Sequence, residues 1–272
     1  MNTSNGDRAF AGSIPQLYEQ YLVPLIFDPY AQDLTRRVVS LAPSAVLEIA
    51  AGTGVVTRHL ADQLPADVPI VSTDLNQAML DHAMSVGTSR AVTWRQADAM
   101  KLPFADSSFD VVVCQFGAMF FPDKATAFAE TRRVLRPGGT FLFNVWDRIE
   151  DNEFADCVTQ AMARLFPSDP PRFLARLPHG HYDQAVISSA LTDGGFTGVM
   201  VFDTLAFQSQ ADSPRTVAIA YCQGTPLRNE LLERDASILD KATDVAAAAL
   251  TERFGAGQVS GKIQACVVSA VK

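Results

Sequence analysis

Three acidic side chains stand where short apolar runs give way to turns: Glu48 in VLEIAAGTG, Asp74 in PIVSTDL and Asp98 in AVTWRQAD. Beside the first lies a glycine turn, Gly52-Thr53-Gly54, whose missing side chains let the backbone approach a ligand closely. Acids around such a loop suit a cationic ligand. They oppose a phosphorylated one, because like charges a few ångströms apart in a partly dry site cost kilocalories. Asp74 follows Gly54 by 20 positions (74 − 54), where a carboxylate can accept hydrogen bonds from two ribose hydroxyls. His179 and His181, in PHGHYD, are the candidate general bases.

The elements that must hold the acids follow from periodicity. Ala45 to Ala50 reads as a strand, and VVTRHLADQL places Val56, Leu60 and Leu64 on one helical face. PIVSTDL is a second strand, followed by a helix that Asn76 caps, whose Met79, Leu80 and Ala83 face inward before Gly87 stops it. AVTWRQAD gives a third strand ending at Asp98, and FDVVVCQFG a fourth. Asp123 then starts a helix, RPGG ends it, and TFLFNVW supplies a fifth strand. This alternation predicts right-handed crossovers and a doubly wound α/β fold around a mostly parallel sheet. Ligands of such sheets lie beyond the carboxyl ends of the strands, where all three acids fall.

The flanking segments read as coverings. Residues 1–43 form a helical lid carrying Tyr18, Tyr21 and Tyr30, broken by Pro24 and Pro29. A Pro-punctuated helical insertion, 148–187, reads as a cap and the substrate region. Residues 44–147 and 188–272 form the core of a single domain spanning 1–272. In its last part, GGFTGVMVFDTLAFQS is a long strand, Ser213-Pro214 opens a mostly helical stretch that runs to Phe254 and ends at Gly255, and IQACVVSAV closes in a hairpin-like antiparallel edge.

With 272 residues, 48% hydrophobic and 19% charged, the composition is that of a globular protein with a sizeable core. A net charge of −8 argues against nucleic acid or an anionic membrane as partner and favours a small molecule. The four cysteines lack CxxC spacing and no His/Cys/Asp pair has a zinc interval, so no metal is expected. Neither an apolar leader nor a run of ~18 apolar residues occurs, which predicts a cytoplasmic protein without integral membrane association.

Two cofactor classes compete for the loop. A dinucleotide needs G-x-G-x-x-G, but GTGVVT puts Thr57 at the third glycine and would set Glu48 beside a pyrophosphate. S-adenosylmethionine carries an ammonium, a sulfonium and no phosphate. Glu48 then attracts the ammonium directly or through water, Asp74 takes the ribose, and Leu75 covers the adenine. Asp98 accepts from the adenine amino group, with Ala99 and Met100 completing the base pocket.

VLEIAAGTG, STDLNQAML, QADAMKLPF, FDVVVCQFGAMFFPD and RRVLRPGG, in that order, resemble the successive motifs of class I S-adenosylmethionine-dependent methyltransferases, and most of all the ubiquinone/menaquinone-type (methyltransferase type 11) small-molecule subgroup. The resemblance covers about residues 45–146. It implies a Rossmann-like, seven-stranded sheet with an antiparallel last strand, and S-adenosyl-L-methionine as cofactor with S-adenosyl-L-homocysteine as product. It places Glu48, Ala50, Gly52, Asp74, Leu75, Asp98, Ala99, Gln115 and Phe116 on cofactor-contacting positions, with which we group Met79 and Met100. The family commonly has glycine-any-glycine where this chain has Ala50-Ala51-Gly52. The expected function is methyl transfer, by in-line displacement, to an O, N, C or S atom of a small molecule. The rivals are an NAD(P)-dependent Rossmann oxidoreductase and a non-catalytic S-adenosylmethionine-binding regulator. In-line transfer needs mainly alignment, so a base such as His179 or His181 is required only where the acceptor must lose a proton.

Overall fold

Runs of valine, isoleucine and phenylalanine build seven strands, and helices cover them. The computed structural model describes residue 10 and residues 12–272; residues 1–9 and Ala11, the start of the expected lid, lie outside the described residues. The strands are β1 (Val46–Ile49), β2 (Ile70–Asp74), β3 (Thr93–Gln96), β4 (Phe109–Gln115), β5 (Leu135–Trp146), β6 (Met200–Ala211) and β7 (Val259–Val271). Their order across the sheet is β3-β2-β1-β4-β5-β7-β6. β1 pairs in parallel with β2 and β4, and β7 runs antiparallel to both β5 and β6. This is the seven-stranded sheet with an antiparallel last strand that the motifs imply.

Strand order reverses between β1 and β4, so the crevice of the switch point opens at the carboxyl ends of these two strands. All four residues of β1 are buried, as a strand covered on both faces requires. Helices α3 (Val55–Gln63) and α4 (Gln77–Val86) follow β1 and β2, while α5 (Lys124–Val134) leads into β5. Asp123 caps α5 by accepting from the Thr126 N–H at 3.0 Å, and Ser213 caps the helix Pro214–Gln223 with Pro214 in its first turn. Asn76 stands at the cap position of α4 without a side-chain cap bond; its amide instead reaches Asp74 and the Phe10 N–H.

One expectation about chain path is corrected. Pro24 does not break the first helical segment: α1 (Ile14–Leu17) and α2 (Asp28–Ser40) are joined by a π-helical stretch, Tyr18–Phe27, that contains it. A wider turn shifts the hydrogen bonding away from the i−4 pattern that proline obstructs, and Pro29 lies in the first turn of α2 where its missing N–H is harmless. The last two strands form the antiparallel edge expected of them, paired from Met200 with Ala270 to Ala211 with Val259. Three helices intervene, α9 (Pro214–Gln223), α10 (Leu227–Arg234) and α11 (Leu239–Phe254), and β7 inserts between β5 and β6. In the expected cap lie α6 (Glu153–Leu165) and α7 (Phe173–Arg176), with α8 (Gln184–Asp193) starting at its end. α6 packs against α11 and β7, which ties this segment to the sheet. Among the described residues, no helix is long and apolar enough to cross a membrane.

Candidate active site

At the end of β1 the chain bends sharply. Ala50 adopts a left-handed backbone with φ 54°, and Gly52 follows with φ 57°. The Ala51 N–H donates to the Thr73 carbonyl at 2.8 Å, which fastens the loop to β2. An L-residue in this conformation carries about 1–2 kcal/mol of strain, which a glycine at position 50 would avoid. The Ala50 methyl occupies space opened by Gly117: a β-carbon on Gly117 would fall 2.4 Å from the Ala50 β-carbon. Alanine at 50 and glycine at 117 are thus a matched pair, one on each side of the switch point.

Asp74 ends β2 and is 7% exposed. Its Oδ2 accepts from the Gly52 N–H and its Oδ1 from the Asn76 N–H, both at 2.8 Å. Burial pushes its carboxyl up, and these backbone donors pull it down. Oδ2 keeps a further lone pair, and the second on Oδ1 is met only by the long 3.4 Å contact from the Asn76 amide, which a ligand hydroxyl can displace. Leu75 follows with 42% of its surface exposed, and Met79 reaches under Gly52 from α4. Past β3, Asp98 Oδ1 accepts from the Met100 N–H at 2.9 Å, leaving Oδ2 for a ligand. On the other side of the switch point the Gln115 Oε1 is buried without a partner, and Phe116 is held in a left-handed conformation (φ 48°) by its N–H bond to Asn144 Oδ1 at 2.8 Å.

One cavity joins these groups, enclosing about 1240 Å³ with its open mouth. Of the expected cofactor residues, Ala50, Gly52, Asp74, Leu75, Met79, Asp98, Ala99, Gln115 and Phe116 line it. Glu48 does not. Alternation along β1 turns its side chain beneath α3, where it is 1% exposed and bonded to the Thr57 hydroxyl and to Ser72 Oγ. Burial pushes Glu48 up to about 7, against the opposing hydrogen bonds of Thr57 and Ser72. Thr57, which breaks the dinucleotide fingerprint, is therefore the partner of a buried acid. Met100 is also off the wall: its N–H closes the turn at Asp98, and its side chain leans on the core.

The roof comes from three segments. Tyr18 of the N-terminal helix lines the cavity and stacks on Phe27 with ring centroids 4.8 Å apart. Burial and the nearby Asp74 charge push its hydroxyl up, and that hydroxyl lies 3.9 Å from where a Gly52 β-carbon would stand. Neither Tyr21 nor Tyr30 reaches the cavity. Tyr30 is a core residue, fully buried with its hydroxyl donating to the Leu205 carbonyl at 3.2 Å, and Tyr21 leans on the core from the outer side of the segment. From the expected cap come Phe173, Leu174, Pro178 and His179. His181 lies off the wall, beside Lys124, with its ring pushed down to about 4 by burial and that cation. The third segment, Tyr221, Thr225 and Pro226 at the junction of α9 and α10, escaped sequence reasoning; a Gly-Thr-Pro turn after a helix was its one signal. Phe10, Phe120 and Phe121 complete an aromatic interior, with Phe116 stacked on Trp146 at 3.8 Å between centroids.

Residues 47–143 match the family model described as a methyltransferase domain. The ubiquinone/menaquinone biosynthesis C-methyltransferase of Pseudomonas fluorescens is 32% identical over 171 residues, covering 58% of this chain and 67% of that enzyme. This chain belongs to the class I S-adenosylmethionine-dependent methyltransferases. The same enzyme of Ectopseudomonas mendocina is 33% identical over 57% of this chain and 65% of its own length, so the chain spans about two thirds of these relatives. Among solved structures, a putative methyltransferase of Bacillus halodurans shares the fold with a TM-score of 0.55 at 20% identity, covering 88% of this chain and 98% of the other. The methyltransferase uses S-adenosylmethionine as methyl donor, and the dinucleotide and non-catalytic readings give way to this one. Among the described residues, no group of three or more His, Cys, Asp or Glu is placed to hold a metal ion.

Proposed function

We propose that this methyltransferase seats the nucleoside of its donor against Asp74, Leu75, Met79, Asp98 and Ala99, and transfers the methyl group to an uncharged, largely apolar small molecule held beneath the roof. Asp74 accepts from the ribose hydroxyls and Asp98 from the adenine amino group, while Ala50 and Gly52 let the methionine end pass close to the backbone. The unpartnered Gln115 Oε1 takes over the ammonium contact expected of Glu48, since it faces the cavity and Glu48 does not. Phe116 borders the methyl-transfer zone, and Tyr18 closes it from above. S-adenosylmethionine supplies a methyl group already activated by a positive sulfur, so the chain's own task is to align acceptor and methyl and to exclude water.

One observation carries the acceptor class. Among the described residues that line the cavity, the only carboxylates are Asp74 and Asp98, both at the donor end, and none of them is a lysine or arginine. Everything over the donor is aromatic or aliphatic apart from a few neutral polar groups. A charged acceptor would lose its hydration there without gaining a counter-ion. Residues 1–43 serve as the lid and 148–187 as the cap over a core of 44–147 and 188–272, a reading supported by the lining residues from both coverings. Four buried free thiols, Cys114, Cys157, Cys222 and Cys266, support a cytoplasmic location.

The test is transfer of a radiolabelled methyl group to matched acceptors: neutral phenols and quinone precursors against their carboxylated and phosphorylated counterparts. Label is expected on the neutral set. Turnover confined to the anionic set would overturn the assignment.

A further inference from the structure

His179 is the feature of the roof that alignment alone does not explain. It follows α7, where Gly180 makes the chain turn: a β-carbon at 180 would fall 2.1 Å from the Arg176 carbonyl oxygen. The turn directs the imidazole inward, 6% exposed and 5.9 Å from the Trp146 ring between centroids. Its Nδ1 lies 2.9 Å from the Asp147 carbonyl oxygen. A carbonyl only accepts, so Nδ1 carries the proton and Nε2 is left as a bare lone pair. No described residue bonds to Nε2, although the ring lines the cavity. Burial pushes the ring down to about 4, which keeps it neutral at physiological pH. Across the roof, Tyr221 is 4% exposed and lines the same cavity, and among the described residues none bonds to its hydroxyl.

We propose that the acceptor is a planar ring bearing a hydroxyl group, that His179 Nε2 is the general base for that hydroxyl, and that the Tyr221 hydroxyl orients the ring. The inference rests on the apolar-acceptor reading above and deepens it. A phenol enters neutral, slides between aromatic faces and meets a lone pair; an amine would arrive as an ammonium ion and find no carboxylate at this end. His179 Nε2 accepts the hydroxyl proton, the electrons so released form the new bond from the oxygen or its conjugated ring carbon to the methyl, the donor's sulfur keeps the pair of the broken S–C bond, and the imidazolium returns its proton to water. Where carbon is methylated, a second proton leaves the ring as aromaticity is restored.

The test compares wild type with His179→Asn, His179→Ala and Tyr221→Phe on phenols of graded acidity. Asparagine keeps a donor for the Asp147 carbonyl and lacks the base. We expect His179→Asn and His179→Ala to lower kcat about 100-fold or more on weakly acidic phenols, and progressively less as the acidity of the neutral phenol rises. Added imidazole should restore part of the His179→Ala loss, and the dissociation constant for S-adenosylhomocysteine should stay within about twofold. Tyr221→Phe should raise the acceptor KM more than it lowers kcat. Independently of turnover, ¹⁵N spectra of labelled histidine, with the signal assigned by its absence in His179→Asn, should show an unprotonated Nε2 that shifts when a phenol is added. Equal losses on all phenols, wild-type rates in His179→Asn, or a protonated Nε2 would overturn the assignment. Transfer to amines or thiols alone would refute the hydroxyl while leaving the apolar chamber standing; no transfer to any neutral small molecule would remove the chamber reading as well.

Discussion

The two halves of the cavity are built on opposite principles. The donor half hangs on the sheet's rim, where acids and backbone groups from consecutive strand ends, Gly52, Asp74 and Asp98, are held by short local hydrogen bonds. The acceptor half is apolar and draws on residues far apart in sequence, such as Tyr18, His179 and Tyr221. In the proposed assignment the first half recognises the donor by polar complementarity and the second the acceptor by shape and by exclusion of water. Such a division lets one donor seat serve many acceptors, because the roof can change without touching the rim.

Each half predicts variants that should leave the other alone. The largest effect on donor binding is expected at the rim: on the proposed seating Asp74→Ala removes two charge-assisted contacts to the ribose and should weaken S-adenosylhomocysteine binding by about 10-fold or more. Calorimetric titration checks this, with Asp74→Asn as the milder replacement that preserves packing. An unaltered dissociation constant in a folded Asp74→Ala protein would detach the donor from β2.

At the switch point, Gly117→Ala should cost about 1–3 kcal/mol, because its new methyl would meet Ala50 at 2.4 Å and the Cys114 sulfur at 2.8 Å. Ala50→Gly should recover part of that loss by removing one of the two collisions. A double-mutant cycle in urea measures the coupling, and strict additivity would refute the pairing. In the roof, Phe120→Ala should raise the acceptor KM several-fold while donor affinity stays unchanged. Its ring packs against Phe10 and Phe173 at 5.8 and 6.3 Å between centroids. A parallel loss of donor affinity would show that the halves are not separable.

How much of this was legible in the sequence depended on distance along the chain. Asp74 and Asp98 were readable as cavity residues because one closes β2 and the other lies two residues past β3, and ligands of such sheets lie beyond the carboxyl ends of the strands. Glu48 misled because its place in an apolar strand fits two arrangements equally: a rim acid, or an acid buried under the next helix. Thr57, one helical turn into α3, decided between them. Read as a broken glycine fingerprint, it counted against a dinucleotide; as a hydroxyl facing the strand, it should also have counted against an exposed Glu48. The roof was legible in outline only. Nothing in the spacing of Tyr18 and Tyr30 tells which ring meets the cavity and which fills the core, since that depends on the π-helical path around Pro24. Nor does any local pattern bring Tyr221 to the cavity, because the helical stretch α9 to α11 is legible as helix while its packing over the sheet's rim is not.

The smallest expected effect separates Glu48 from the site by its pH signature. Glu48 rises from an ordinary 4.5 to about 7. The folded protein thus holds this proton more tightly than the unfolded chain, and the associated stability, complete below the unfolded value, is lost as pH rises through the folded one. Glu48→Gln cannot ionise, so its melting temperature should gain on that of the wild type between about pH 5 and pH 8. Donor affinity near neutral pH should change little. A large loss of donor affinity in Glu48→Gln would return this residue to the site.

The central claim is that the sheet's rim at Asp74 and Asp98 holds the nucleoside while the roof stays free for the acceptor. A crystal structure of the protein with S-adenosylhomocysteine tests it most directly. The account predicts both ribose hydroxyls within about 2.6–3.2 Å of the Asp74 carboxylate oxygens, adenine between Leu75 and Asp98, and the sulfur directed at the space beneath His179. A nucleoside lying under the roof, with Asp74 bonded only to Gly52 and Asn76, would contradict it.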